Sequence, residues 1–144
     1  MNTGRILTRY AAEHHQERIE KFEVRQGDVW LMSYPKSGTT WTQELLWMIL
    51  NDVDVEGAKV PLTLRSPQFE EYFSKEGHSV KQANNLTGPR LIKTHLTFDL
   101  LPENLHEKCK IVYVARNPRD LAVSFYHHSK IVRGNLIRTF FEIL

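Results

Sequence analysis

The sequence predicts an α/β fold in which helices flank a parallel sheet. Three apolar runs indicate the strands: "VWLMS", "RLIKTHL" and "KIVYVAR". Their apolar residues are continuous rather than alternating, which is typical of strands covered on both faces. Helix-like segments follow the first and third runs, and this alternation of strand and helix is typical of parallel sheets.

The predicted elements follow one another along the chain. They are a helix over 10–21, a strand over 29–33, a helix from Thr39 or Thr40 to about Leu50, a short helix around 68–74, a strand within 90–96, a helical fragment within 98–109, a strand within 110–116 and a helix over 117–132. The last helix has the clearest start, because Asn117 is a favoured N-cap and Pro118 is favoured at the first helical position. A further apolar, helix-like segment occupies residues 135–144.

Composition excludes several classes of protein. The 144 residues are 41% hydrophobic and 25% charged, with a net charge of +2, which is too small to indicate bulk nucleic-acid binding. The one cysteine, Cys109, excludes an intrachain disulfide and favours a reducing compartment. The longest uninterrupted apolar run, "LLWMIL", is too short to span a membrane. We therefore expect a cytoplasmic protein with no nucleic-acid or membrane partner.

The segment "SYPKSGTTW" joins the first strand to the next helix in a P-loop-like arrangement. The backbone N–H groups of residues 37–40 can converge on an anion, and the helix dipole strengthens that site. Side chains add a mobile cation from Lys36, hydroxyl donors from Thr39 and Thr40, and a flat ring from Trp41 that suits a purine. The lysine precedes the glycine, so the segment does not match the GxxxxGK[ST] loop of nucleotide triphosphatases.

Two further clusters lie where parallel strands end. Lys93 and His95 are two residues apart, so they project to one side of a strand, and a neutral histidine can act as a general base. Arg116 follows the third strand and is suited to bidentate phosphate binding, with Ser124 about two turns into the next helix. Taken alone, "KTH" is more often an ordinary strand end and "RNPRD" a salt-bridged helix cap. Ligands of open α/β sheets bind at this edge, which favours the functional interpretation.

No metal site is expected. Phosphate-binding enzymes that use magnesium place an aspartate at a strand end, whereas the strands here end in Arg116 and near His95. Neither HExxH, CxxC nor a paired-carboxylate pattern occurs. The adjacent pairs 14–15 and 127–128 are histidines that cannot share one helical face. Basic side chains must therefore neutralise the bound anion.

These pieces, in this order, resemble the cytosolic sulfotransferase family. "YPKSGTTW" is similar to its 5′-phosphosulfate loop, "RLIKTHL" to its catalytic strand and "ARNPRDLAVSFY" to its 3′-phosphate motif, and the similarity extends over residues 20–144. The resemblance implies that the donor is 3′-phosphoadenosine 5′-phosphosulfate (PAPS), used without a metal. It also implies transfer of a sulfuryl group to a hydroxyl or amine of a small, apolar acceptor.

The resemblance assigns a role to each candidate residue. On the acceptor side, His95 removes the proton and Lys93 positions the acceptor, with His128 standing where an apolar side chain is common in the family. On the donor side, the resemblance implies that Lys36 stabilises the leaving oxygen, that Ser37, Gly38, Thr39 and Thr40 bind the 5′-phosphate, that Trp41 stacks on adenine, and that Arg116 and Ser124 bind the 3′-phosphate.

The main departure from the family is length, because its members are about twice as long. Residues 1–144 are therefore expected to be the N-terminal portion of a truncated sulfotransferase domain. The resemblance implies that the absent half carries the dimer motif, so a homodimer is expected only of the full-length form. Two alternatives remain open: a truncated, non-catalytic nucleotide-binding or interaction protein, and a metal-dependent nucleotide phosphotransferase.

Overall fold

The computed structural model describes residues 22–69 and 83–133. The helix predicted over 10–21, most of the one predicted around 68–74 and the segment 135–144 lie outside the described residues. Within them, the strands are β1 (Val29–Ser33), β2 (Leu91–Thr94) and β3 (Lys110–Val114), and the α-helices are α1 (Thr39–Leu50), α2 (Leu62–Arg65), α3 (Leu105–Lys108) and α4 (Pro118–Arg133). Short 3₁₀ helices occupy Gly57–Lys59 and Phe98–Leu100.

The three strands form one parallel sheet with the order β2-β1-β3. Val29 lies opposite Leu91 on one side and Lys110 on the other, and the register continues residue by residue from there. The predicted α/β class and parallel sheet are confirmed. All three strands end at the same edge, so the segments that follow them are gathered there.

Alternation along the strands divides the core into two clusters. Trp30 and Met32 of β1 pack with Phe22, Phe69 and other apolar residues on one face of the sheet. Val29 and Leu31 pack on the opposite face with Leu91 and with Trp47 of α1. The continuous apolar run of β1 is thus explained by cover on both faces.

The third strand is less covered than its apolar sequence predicts. Ile111 is 36% exposed and Tyr113 is 67% exposed, whereas every residue of β1 is buried. Only β1 pairs with β3 among the described residues, so β3 forms an edge of the sheet. The prediction that all three strands are buried on both faces is wrong for β3, because no described element covers its outward side chains.

A buried ion pair ties together the starts of two strands. Arg90 donates from its backbone N–H to Asp28 Oδ1 at 3.1 Å, and its guanidinium contacts both carboxylate oxygens. Arg90 Nη2 also donates to the Glu23 carbonyl at 2.7 Å. Both side chains of the pair are fully buried, and removing one partner would leave an uncompensated charge. The pair therefore anchors the end of the sheet opposite the candidate site.

Helix α2 was not predicted, and tertiary contacts explain its presence. Arg65 makes two hydrogen bonds to the Glu44 carboxylate, at 2.7 and 2.8 Å, and its guanidinium lies 4.3 Å from the Trp47 ring centroid. These contacts join the short helix to α1, and a four-residue helix has no strong sequence signal of its own. No helix in the described part of the chain is long and apolar enough to cross a membrane.

Candidate functional site

The segment between β1 and α1 begins with a tight turn. Ser37 N–H donates to the Tyr34 carbonyl at 3.2 Å, and Pro35 occupies the second position of this turn. Lys36, at the third position, has φ of 70°, a conformation that type II turns usually reserve for glycine. Such strain in a non-glycine residue persists only where the surroundings enforce it, and it is concentrated at binding sites.

Gly38 forms the junction between this turn and α1. Its φ is 101°, and a Cβ added there would meet no atom within 4 Å. Glycine is therefore required by the backbone conformation rather than by crowding. The first turn of α1 has neither a side-chain cap nor an acidic residue. Its N–H groups and the positive end of its dipole thus remain suited to an external anion.

Ser37 supplies a separate indication of a ligand. Its side chain is buried, with 6% of the residue exposed, and Oγ has no hydrogen-bond partner among the described residues. Buried hydroxyl groups in folded proteins are nearly always hydrogen-bonded, because leaving one unpaired costs free energy. A phosphate oxygen at the start of α1 would satisfy Ser37. The residues present therefore fit the phosphate groups of the expected donor.

His95 lies beside this loop, in contact with the end of β1. Its Nδ1 is 2.8 Å from the carbonyl oxygen of Ser33 and 3.4 Å from Ser33 Oγ. Ser33 Oγ is in turn 2.6 Å from Oγ1 of Thr39, the first residue of α1. A continuous set of contacts thus joins the start of α1 to His95.

Arg116 follows β3 and reaches the loop from the opposite side of β1 to His95. Its Nη1 donates to the Lys36 carbonyl at 3.2 Å. The strand that precedes it ends at Val114, two residues earlier than the run "KIVYVAR" suggested. Asn117 Oδ1 accepts a hydrogen bond from the Arg119 N–H at 3.0 Å, which confirms the predicted cap at the start of α4.

The other candidate residues are less closely connected to the loop. Trp41 is 81% exposed and Thr40 is exposed, so both are accessible at the first turn of α1.

Ser124 is half-buried and His128 is exposed on α4. This helix approaches the loop through the rings of Phe125 and Tyr34, whose centroids are 6.1 Å apart. Lys93 lies on the α1 side of the sheet by alternation with Leu91.

Sequence reasoning missed two hydroxyl residues at this edge, Ser33 and Thr94. Both are buried at the last positions of their strands, and both make hydrogen bonds there. Their place immediately before two predicted site segments was the available signal. Serine and threonine serve many structural purposes, so position alone does not distinguish a supporting role from an ordinary strand end.

The described residues contain neither a reactive cysteine nor a cluster of metal-binding side chains. Burial is the main cause that raises the pKa of Cys109 to about 11, with a further contribution from the Asp28 carboxylate. The thiol is therefore protonated at neutral pH and is a poor nucleophile. Within residues 22–69 and 83–133, no group of three or more histidine, cysteine or acidic residues could hold a metal ion.

Comparison with known proteins identifies the family. The model of the sulfotransferase domain matches residues 26–142. The chain belongs to the sulfotransferase family. Its curated relatives include luciferin sulfotransferase of Photinus pyralis, 43% identical over 83% of this chain and 37% of the relative, and sulfotransferase 1B1 of Mus musculus, 46% identical over 82% and 40%.

Solved structures of this family share the fold. Retinol dehydratase in complex with retinol and PAP has a TM-score of 0.72 and 34% identity, covering 83% of this chain and 44% of that one. Mouse sulfotransferase SULT7A1 complexed with PAP has a TM-score of 0.67 and 29% identity, covering 92% and 45%. The chain thus spans less than half the length of the sulfotransferases that it matches.

Proposed function

We propose that this chain is the N-terminal portion of a sulfotransferase domain that binds PAPS and supports transfer of its sulfuryl group to a small acceptor. The observation that carries the proposal is the buried, unpaired hydroxyl of Ser37 at the uncapped start of α1, in a loop that also contacts His95 through Ser33 and Thr39. Related solved structures hold PAP, the desulfated form of the same nucleotide.

The donor half of the proposed site is built from the loop and the start of α4. The N–H groups of residues 37–40 and the Ser37 hydroxyl bind the 5′-phosphate, and the exposed ring of Trp41 stacks on adenine. Arg116, adjacent to the Lys36 carbonyl, binds the 3′-phosphate together with Ser124. When bound, PAPS supplies the sulfuryl group. Lys36 neutralises charge on the phosphate oxygen from which that group departs.

The acceptor half depends on His95 and Lys93. His95 removes the proton from the acceptor hydroxyl or amine as the new sulfur–oxygen or sulfur–nitrogen bond forms and the bond from sulfur to the phosphate oxygen breaks. Lys93 holds the acceptor, and His128 on α4 lies at its periphery. Positioning and charge stabilisation then account for catalysis, as in the related transfer of phosphoryl groups.

The acceptor is proposed to be a small apolar molecule with a hydroxyl or amine group. Solved relatives have been crystallised with retinol and with androsterone, both of which are small and largely apolar. The same family resemblance supports a cytosolic location, and a homodimer in the full-length form. Metal-dependent phosphotransfer is disfavoured, because the residues after β2 and β3 nearest the loop are His95 and Arg116 rather than aspartate.

A second candidate function is nucleotide binding without catalysis. It is favoured by one observation, that the chain covers only 37–44% of the length of its relatives. The loop and Arg116 could then hold a nucleotide, while acceptor binding would need residues that these 144 positions lack. Measurement of transfer separates the two functions.

Transfer of radiolabelled sulfate from PAPS to a panel of phenols and sterols tests the proposal. His95→Ala should lower turnover about 10²–10⁴-fold, the usual effect of removing a general base, while leaving PAP affinity intact. Lys36→Ala should lower both the turnover and the affinity for PAP. His106→Ala, which alters an exposed histidine on α3, serves as the matched control and should change neither.

Each outcome distinguishes between the candidates. Transfer that survives His95→Ala would contradict the assigned base. PAP binding without transfer by any form of the chain would support the non-catalytic function, and failure to bind PAP would contradict both.

A further inference from the structure

The hydrogen-bond ladder between β1 and β2 ends in an unusual way. Val29 N–H donates to the Arg90 carbonyl at 2.8 Å, and the strands then pair in register up to Met32 and Thr94. In a parallel ladder, alternate residues of one strand donate to the residue before their partner and accept from the residue after it. Extension of this pattern would pair the Ser33 carbonyl with the Leu96 N–H.

The structure contains different hydrogen bonds at that position. Leu96 N–H donates to Oγ1 of Thr94 at 3.1 Å, and β2 ends at Thr94. The Ser33 carbonyl instead lies 2.8 Å from Nδ1 of His95. The Thr94 hydroxyl thus accepts the hydrogen bond of the Leu96 amide, which would otherwise continue the ladder. The Ser33 carbonyl, which that amide would have bonded, is in contact with the imidazole of His95 instead.

This exchange determines where the histidine carries its proton. A carbonyl oxygen can only accept a hydrogen bond, so Nδ1 must be the protonated nitrogen of the neutral ring. The lone pair is then on Nε2, the nitrogen farther from the strand. In water the neutral imidazole of histidine prefers the opposite tautomer, with the proton on Nε2. The contact with Ser33 therefore selects the minority form.

We infer that Thr94 is a positioning residue, which withholds the Leu96 amide from the Ser33 carbonyl and thereby sets the tautomer and orientation of His95. The inference rests on the proposed role of His95 as the base, because it explains why Nε2 is the nitrogen that accepts the proton. It does not require Thr94 to touch either substrate. A second hydroxyl, Ser33 Oγ, holds the same peptide against Thr39 of α1 at 2.6 Å.

A purely structural role for Thr94 makes a different prediction. Thr94 is fully buried, and valine has nearly the same shape and an equal preference for strands. If only packing matters, Thr94→Val should leave the ring of His95 unchanged. If the hydroxyl matters, the released Leu96 N–H should take the Ser33 carbonyl, and His95 should revert to the Nε2-protonated form.

The test is the ¹⁵N spectrum of the full 144-residue chain labelled at histidine, with the His95 signals assigned by their loss in His95→Gln. The wild-type ring, measured in its neutral form, should be protonated at Nδ1. Thr94→Val should shift most of the population to Nε2–H. Thr94→Ser, which keeps the hydroxyl, should retain the wild-type tautomer. Thr94→Ala removes the same oxygen and repeats the test if valine prevents folding.

An Nε2-protonated ring in the wild type would overturn the inference without any variant. Retention of Nδ1–H in folded Thr94→Val or Thr94→Ala would also overturn it. PAP affinity, measured in parallel, should be the same in the wild type and Thr94→Val, because β2 does not form the loop. Failure of both proteins to bind PAP would contradict the proposed function, whereas the tautomer alone decides the inference.

Discussion

Nucleotide selectivity of the proposed site depends on Arg116. Its guanidinium contacts the Lys36 carbonyl, which places a permanent cation beside the strained turn of the loop. The N–H groups of the loop recognise any phosphate at the start of α1. A cation beyond them is needed to distinguish a nucleotide with a 3′-phosphate from one without.

Arg116→Ala should therefore narrow the preference for PAP over adenosine 5′-phosphate by about tenfold or more. Loss of a charged hydrogen-bond partner costs about 1.5–3 kcal/mol, and only PAP has the group that loses it. Calorimetric titration of both nucleotides measures the ratio. Arg119→Ala, at an exposed arginine in the first turn of α4, is the control. An equal effect from both substitutions would show that the selectivity comes from general charge alone.

Individual candidate residues could be predicted where several motifs occur together. "KTH" and "RNPRD" are each more often structural when taken alone, but together with the loop they predicted Lys36, His95 and Arg116 as site residues, and the structure brings all three to one edge. Ser33 and Thr94 were not identified. Their contribution depends on the register of β1 and β2 and on which amide each carbonyl meets, and a single strand sequence contains neither.

At the scale of elements, β1 and α1 were predicted with their observed bounds. Their bounds are clear in the sequence because three different signals follow one another: a buried apolar run, a turn with a glycine, and an apolar helix. β3 was predicted as a strand but not as an exposed edge, because its apolar residues do not reveal whether a covering element exists. Helix α2 depends on the contact of Arg65 with Glu44, which no local pattern contains.

The start of α1 is predicted to be sensitive to its glycine. Gly38→Ala forces a side-chain residue to adopt a φ of 101°, which should lower the free energy of unfolding by about 1–2 kcal/mol and weaken PAP binding. Gly88→Ala is a matched control, because Gly88 also has positive φ, at 71°, and open space around it. It should destabilise the chain similarly without affecting nucleotide affinity. Chemical denaturation and calorimetry measure the two effects.

Unchanged PAP affinity in Gly38→Ala would show that the loop does not hold the nucleotide. If Gly88→Ala weakened binding equally, the effect would come from lower stability rather than from the loop.

For the molecule as a whole, many large apolar side chains of the described residues are exposed. Trp41, Leu45 and Ile49 recur every four residues on α1 and are 81%, 58% and 69% exposed. Tyr113 on β3 and Ile131 on α4 are also mostly exposed, at 67% and 83%. Continuous apolar patches beyond a few hundred Å² are unusual on monomers. This exposure could not be predicted from composition, which is that of an ordinary globular protein.

The isolated chain is therefore predicted to self-associate. Light scattering during size-exclusion chromatography should show species larger than the monomer. Their fraction should increase with the concentration of protein that is loaded. The double substitution Leu45→Glu and Ile49→Lys should reduce association, because it places charges in the apolar line on α1. Val55→Lys, at an exposed apolar residue outside that line, is the control. A monodisperse monomer in the unsubstituted chain would contradict the prediction.

Calorimetry on the unsubstituted 144-residue chain tests whether the loop and Arg116 form a site for a nucleotide with a 3′-phosphate. PAP and adenosine 5′-phosphate are titrated separately in buffer with a chelator that removes magnesium. PAP should bind without the metal, and at least about tenfold more tightly than adenosine 5′-phosphate. Equal affinities, or binding of PAP only after magnesium is restored, would contradict the proposed site.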